Sequence, residues 1–257
     1  MFLLSYSKPI GVFDSGLGGI SVLRAPRVLM PSENFVYFAD RRNAPYGSRP
    51  DIEIIHLTRN GIEYLRRLGC KAAVIACNTA TSVAAEILRK EYSSFAIIGL
   101  EPAIKPAINK YPDGNVLVLA TPVTLNHKKF INLLSSLDGH NVVALAAPKL
   151  VTYVEGDTVN SSGCLKYLSS LFAEYNCVRF DACVLGCTHF PFAKHTISCA
   201  LGYSPEFFDG AQGAAHHLRD VLVSENMLNK DNKNGYIFWN ELYSNGLNRK
   251  LLYDKYN

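Results

Sequence analysis

Two short segments place a thiol beside amide, hydroxyl and imidazole groups at the point where an apolar run ends. VIACNTA, Val74–Ala80, runs into Cys77, Asn78 and Thr79, and VLGCTHFP, Val184–Pro191, delivers Cys187, Thr188 and His189 in the same way. Laid together on their cysteines, AAVIACNT (72–79) and DACVLGCTH (181–189) resemble one another. A thiolate is a base and a thiol an acid. Two of them on opposite faces of one carbon can remove a proton from one side and deliver one to the other, which inverts the centre. Each cysteine is expected at a strand end and helix start, where free backbone N–H groups and the helix dipole attract a carboxylate. That setting is also expected to lower a thiol from its ordinary pKa of about 8.5.

Other chemistries remain open for these groups. Zinc at Cys183, Cys187 and His189 fits poorly, because no CxxC pair occurs and strand spacing does not gather the three into a tetrahedron, so no metal site is expected. A thiol hydrolase built on Cys187 and His189 would leave the matched Cys77 without a role. The remaining cysteines, Cys70, Cys164, Cys177, Cys183 and Cys199, are expected to pack as small hydrophobes. Seven cysteines in a chain with no export signal argue against structural disulfides.

Two further motifs stand at strand ends. FDSGLGGIS (13–21) is a glycine-rich strand-to-helix turn with Asp14 and Ser15 at its tip. It partly matches a dinucleotide fingerprint, with Ser21 in place of the third glycine and Asp40 where a ribose-binding acid belongs. A carboxylate beside the phosphates argues against that use, and no Gly-Lys-Ser/Thr follows for a P-loop; the simplest role for Asp14 is an N-cap. NAPYGSRP (43–50) is a Pro-Tyr-Gly loop, with Ser48 or Asp51 expected to cap the next helix.

The elements that carry these motifs alternate. Continuous apolar runs at 10–13, 35–39, 72–76, 95–99, 116–120, 142–147 and 182–186 read as strands covered on both faces. Helical segments are expected near 17–29, 51–68, 80–91, 101–110, 123–137, 163–175, 191–200 and 210–223. This predicts an α/β fold of parallel sheets, with ligands bound beyond the carboxyl ends of the strands. Asp14 precedes Cys77 at about the spacing by which Thr121 precedes Cys187, and VLVLATPVT (116–124) opens a block as IGVFDSGLGG (10–19) does. Two lobes descended from one unit are therefore expected, each offering one cysteine to a shared cleft.

Composition sets the frame. The 257 residues are 48% hydrophobic and 19% charged, with a net charge of +4 spread along the chain, which suits a globular protein and shows no nucleic-acid footprint. MFLLSYSKP has neither a signal peptide's basic start nor a membrane span, so a cytoplasmic location is expected.

Taken together, FDSGLGGISVLR, PYGS, ACNTA, VEGD and LGCTHFP, in this order over most of 10–209, resemble the cofactor-independent glutamate racemases. The resemblance implies racemisation of glutamate by two opposed thiols with no pyridoxal cofactor, and no lysine stands in a Schiff-base position among these motifs. It implies that Cys77 and Cys187 are the acid/base pair, with Asp14, His189 and Glu155 assisting proton transfer. Asp14, Ser15, Tyr46, Gly47, Asn78, Thr79, Thr188 and His189 match its substrate-binding positions, and Thr121 adds a hydroxyl. It further implies a first lobe of 1–100 completed by 210–257, a second lobe of 101–209, a homodimer, and a role in supplying D-glutamate to peptidoglycan. An aspartate or hydantoin racemase, and a non-catalytic amino-acid-binding protein, are the competing classes. ADRRNAPYG departs from the family in its two arginines, Pro26 is expected to kink or end the first helix, and the tail after 225 is expected to pack as a final helix.

Overall fold

The computed structural model describes residues 8–137, 139–229, 235–243 and 246–252, with side chains in the last two stretches described as far as Asn240. The chain opens with β1 (Ile10–Asp14), α1 (Ile20–Leu29) and β2 (Phe35–Ala39), followed by two 3₁₀ turns, Arg41–Asn43 and Tyr46–Ser48. Next come α2 (Asp51–Arg67), β3 (Ala72–Ile75), α3 (Asn78–Glu91), β4 (Ala96–Gly99) and α4 (Ile104–Lys110). A second series holds β5 (Asn115–Ala120), α5 (Pro122–Asn126), α6 (Lys128–Ser135), β6 (Asn141–Ala146), α7 (Pro148–Glu155), α8 (Ser162–Phe172), β7 (Ala182–Gly186), α9 (Lys194–Leu201) and β8 (Glu206–Phe208). The chain closes with α10 (Ala211–Ser224), β9 (Ile237–Tyr243) and β10 (Gly246–Leu252).

These strands form two sheets, in the orders β10-β9-β2-β1-β3-β4 and β6-β5-β7-β8. All neighbours are parallel except β9 and β10. The order β2-β1-β3-β4 recurs as β6-β5-β7-β8, so β3 and β7, which lead to the two cysteines, occupy equivalent places. Both sheets are covered by helices on both faces, which explains the unbroken apolar runs. Successive residues of one strand feed opposite cores: Ile10 and Val12 pack with Leu218 and Leu222 of α10, while Phe13 and Ile75 pack with Ile62 and Leu65 of α2. In the second sheet Leu117 and Leu119 join Leu168 and Phe172, and Val116 and Val118 join Ile104 and Phe130.

Several local expectations need correction. Pro26 neither ends nor bounds α1, which continues to Leu29 and closes with the Met30 N–H donated to the Pro26 carbonyl at 2.9 Å. Burial of Val22, Leu23, Ala25 and Pro26 offsets the missing proline N–H. The helix expected at 123–137 is two, broken at His127 in an extended conformation. Neither Ser48 nor Asp51 caps α2, whose N-cap is Pro50. Helix α7 and strand β8 had no counterpart in the sequence reading. Cys70, Cys164 and Cys183 are buried as expected, but Cys177 and Cys199 are exposed; all seven thiols are free.

The tail forms strands, not a helix. Strand β9 adds to β2 in register Phe35↔Ile237 and Tyr37↔Trp239, and the Tyr37 and Trp239 rings stack at 4.4 Å. An aromatic, β-branched stretch suits a pleated surface better than a helix. The segment before it is held by a buried ion pair: Lys71 Nζ lies 2.6 Å from Glu33 Oε2 and donates to the Met227 carbonyl, while the Asn229 N–H donates to Glu33 Oε1.

Candidate active site

The parallel strand β1 ends in Asp14, β3 and β7 lead into Cys77 and Cys187 just beyond their last residues, and the turns there bring the two sheets together. Asp14 does not cap α1, whose N-cap is Gly19. Its Oδ2 accepts the Gly16 N–H at 3.0 Å, and its Oδ1 accepts the Thr188 hydroxyl at 3.3 Å from the other sheet. Burial pushes the Asp14 carboxyl above its ordinary range, against the lowering influence of His189 and the Gly16 and Gly19 N–H groups.

The glycine turn is held by Tyr37, whose hydroxyl donates to the Gly16 carbonyl at 2.7 Å. Gly16 and Gly18 face side chains from the four-stranded sheet's elements, whereas Gly19 packs on Asp14 and Tyr37. A Cβ on Gly16 would collide with Glu155 Oε1, and one on Gly18 with Thr188 Oγ1 and the His189 ring. The Leu17 N–H donates to Glu155 Oε1 at 2.7 Å, and the Ser21 hydroxyl donates to the Thr188 carbonyl at 2.9 Å. Gly16→Ala is accordingly expected to push Glu155 off the Leu17 N–H and to lower the melting temperature, which a thermal melt beside wild type reads.

Cys77 is the N-cap residue of α3, its Sγ accepting the Ala80 N–H at 3.5 Å with the Ser15 hydroxyl 3.6 Å away. The expected lowering of its pKa does not occur. Burial, reinforced by the charge of Asp14, pushes the thiol up to about 12, and the Ala80 N–H and Ser15 hydroxyl only partly offset this. Cys77 is therefore held as a thiol.

Cys187 has a different neighbour. His189 Nδ1 lies 3.7 Å from Cys187 Sγ, and its Nε2 lies 2.6 Å from Glu155 Oε1. Burial alone would discharge this imidazole, but the hydrogen bonds to Cys187 and Glu155 outweigh it and raise His189 to about 10. Glu155 is held below the ordinary carboxylate range: burial opposes this, and the hydrogen bonds from His189 and Leu17 and the charge of Arg41 prevail. One cysteine thus feels the charge of a carboxyl group and the other lies beside an imidazole, so the pair is electrostatically unequal.

The remaining sequence-derived residues gather around this centre. Thr79 Oγ1 meets Thr121 Oγ1 at 2.9 Å across the sheets, and Thr121 continues to Thr124 Oγ1 at 2.9 Å. Asn78 Nδ2 donates to the Leu100 carbonyl at 3.2 Å. Gly47 packs so closely on Thr121 that a Cβ would collide with it. Tyr46 is buried, and its hydroxyl donates to Asp40 Oδ2 at 2.7 Å. Asp40, read from sequence only as a potential ribose ligand, is thus a partner of the Pro-Tyr-Gly loop. Tyr37 and Thr124 carry no signal in the sequence, and Ser21 and Asp40 carry one as parts of the partial dinucleotide fingerprint; for Asp40, a further signal is an acid standing a few residues before an aromatic hydroxyl.

Comparisons with known proteins agree with this architecture. Residues 27–218 match the model of the Asp/Glu/Hydantoin racemase family. A glutamate racemase of Clostridium perfringens is 41% identical over 247 residues, covering 96% of this chain and 94% of that protein. The structure of glutamate racemase isoform RacE1 from Bacillus anthracis superposes with a TM-score of 0.78 at 28% identity, over 92% of this chain and 89% of that one. The Francisella tularensis glutamate racemase, solved in complex with D-glutamate, gives a TM-score of 0.77 at 25% identity, over 92% and 88%. Among the described residues no helix is long and apolar enough to cross a membrane. A doubled parallel-sheet fold, a closed inter-sheet centre with two thiols and matches over most of the chain converge on one assignment: the protein is an isomerase that belongs to the Asp/Glu/Hydantoin racemase family, alongside its glutamate racemases.

Proposed function

We propose that the chain interconverts L- and D-glutamate by a two-base mechanism, with Cys77 and Cys187 acting on opposite faces of the α-carbon and no added cofactor. The observation that carries this reading is the unequal pair of thiols at equivalent strand ends. Cys187, with His189 Nδ1 3.7 Å from its Sγ, is the base that takes the α-proton. Cys77, held as a thiol, supplies a proton to the other face. In the reverse direction Cys77 must ionise first, and Asp14 is the acidic group placed to accept that proton. Glu155 holds His189 charged and oriented.

The substrate's carboxylates are taken by the hydroxyl, amide and N–H donors of Ser15, Asn78, Thr79, Thr121 and Thr188 and by the loop of Tyr46 and Gly47. This reading assigns 1–100 with 210–257 to one lobe and 101–209 to the other, with a cleft between them that must part to admit substrate, since Cys77 and Cys187 are buried. It includes a homodimeric enzyme of the cytoplasm, supplying D-glutamate for peptidoglycan.

Incubation of purified protein with L-glutamate in D₂O, without pyridoxal phosphate or metal, tests the proposal. D-glutamate is expected to accumulate with deuterium at the α-carbon. Binding of glutamate with no exchange would overturn it, and parallel incubations with aspartate and a hydantoin locate the substrate.

A further inference from the structure

We infer that Arg41 acts as a positioning residue, holding Glu155 from across the two sheets so that Glu155 in turn holds His189 against Cys187. This rests on the racemase reading above. Arg41 opens the 3₁₀ turn after β2, on the six-stranded sheet, whereas Glu155 is the last residue of α7 on the four-stranded sheet. Arg41 Nε lies 3.3 Å from Glu155 Oε2.

The two oxygens of Glu155 are divided in their duties. Oε1 takes both the Leu17 N–H and His189 Nε2, at 2.7 and 2.6 Å. Oε2 faces Arg41, and both residues line a cavity of about 410 Å³ together with Arg42, Pro45, Val151 and Thr152. The helix stops at Glu155, and Asp157 turns the chain away with a left-handed φ of 54°, so no following helical turn buttresses the carboxylate. On the cavity side its orientation depends on the partner of Oε2. The Arg41–Glu155 pair is partly exposed, at 25% and 18%, and such a pair by itself contributes little to stability. Its leverage comes from the buried imidazole on the other oxygen.

The charged groups acting on Glu155 are His189 from the loop after β7, Arg41 from the turn after β2, and Asp14 from the end of β1. Removing Arg41 leaves the carboxylate one cation and one acidic neighbour. Its protonation then moves to higher pH, and with it the pH below which His189 loses its charged acceptor. The arginine doublet that set ADRRNAPYG apart in the sequence thereby divides: Arg41 reaches Glu155, and Arg42 lines the same cavity.

The test uses the full chain and its variants Arg41→Ala, Arg41→Lys and Arg42→Ala. The Glu155 carboxyl carbon is followed by ¹³C NMR titration, assigned by its absence in Glu155→Gln, and the pH profile of kcat/KM for glutamate is measured beside it. In Arg41→Ala the Glu155 midpoint and the acid limb of kcat/KM are expected to move together to higher pH. At the acid end kcat/KM falls about tenfold, less than the hundredfold that a misplaced catalytic group can cost. Arg41→Lys restores both measurements at least in part, and Arg42→Ala leaves both at their wild-type positions. An unchanged Glu155 midpoint in Arg41→Ala, or a shifted midpoint with an unmoved acid limb, overturns the inference. A wild-type protein that exchanges no α-hydrogen defeats the racemase reading instead, and the NMR titration then still decides whether Arg41 governs Glu155.

Discussion

Cys77→Ala and Cys187→Ala each abolish inversion of glutamate, with an expected loss of about 10⁴-fold in kcat/KM, the upper end of what one positioned acid or base contributes. Neither thiol can stand in for the other, because they stand at the ends of strands in separate sheets. A variant with one thiol left can still remove a proton and return it to the same face. Each is therefore expected to exchange the α-hydrogen of one enantiomer without inverting it, and the two variants should prefer opposite enantiomers. Chiral chromatography paired with proton NMR in D₂O reads both effects. Cys183→Ala is the control, since Cys183 lies in β7 within the core; it should lower stability and leave inversion intact. Wild-type inversion by either Cys77→Ala or Cys187→Ala would remove the two-base mechanism.

His189→Asn is expected to lower kcat/KM by about a hundredfold and to erase the alkaline limb of the pH profile, within the range for loss of a group that assists proton transfer. The wild-type limb should fall near pH 10, where His189 gives up the proton it holds between Cys187 and Glu155. Cys77, pushed up to about 12, stays a thiol through that range and contributes no limb below it. The same shift makes a stability prediction. His189 titrates near 6.5 in the unfolded chain and near 10 in the folded one, so its stabilising contribution is complete below 6.5 and is lost as the pH rises through 10. Urea midpoints of wild type and His189→Asn should thus differ most in mildly acidic solution and converge above pH 10. A difference that persists undiminished there would show that His189 acts through packing and not through charge.

Much of this was legible in the sequence because it depends on residue type. Strands covered on both faces leave continuous apolar runs, and the doubled ACNT/GCTH motif marks two equivalent strand ends whatever surrounds them. What escaped depends on neighbours brought in by tertiary structure. The glycines of FDSGLGG signal a backbone that needs close approach, but not that Glu155 and His189 approach it. Cys77 stands at a strand end and helix start, as expected, yet its charge state follows from burial and the charge of Asp14, which local spacing does not reveal. Helix α7 was missed because PKLVTYVE is short and rich in Val, Thr and Tyr, residues that favour strands. The tail's strand is not visible locally because YIFW finds its partner only at β2, far away in the chain.

That pairing of β9 with β2 has a consequence for biosynthesis. The four-stranded sheet is complete once residue 208 has been made, whereas the six-stranded sheet waits for Ile237 and beyond. As the chain leaves the ribosome, β2 therefore spends most of translation as an open edge, with its backbone groups available to other unpaired strands. Premature termination before β9 would leave that edge permanently uncovered, immediately ahead of the turn that carries Arg41 and the Tyr46 loop. Such truncated chains are expected to be lost to aggregation before any defect in chemistry is felt.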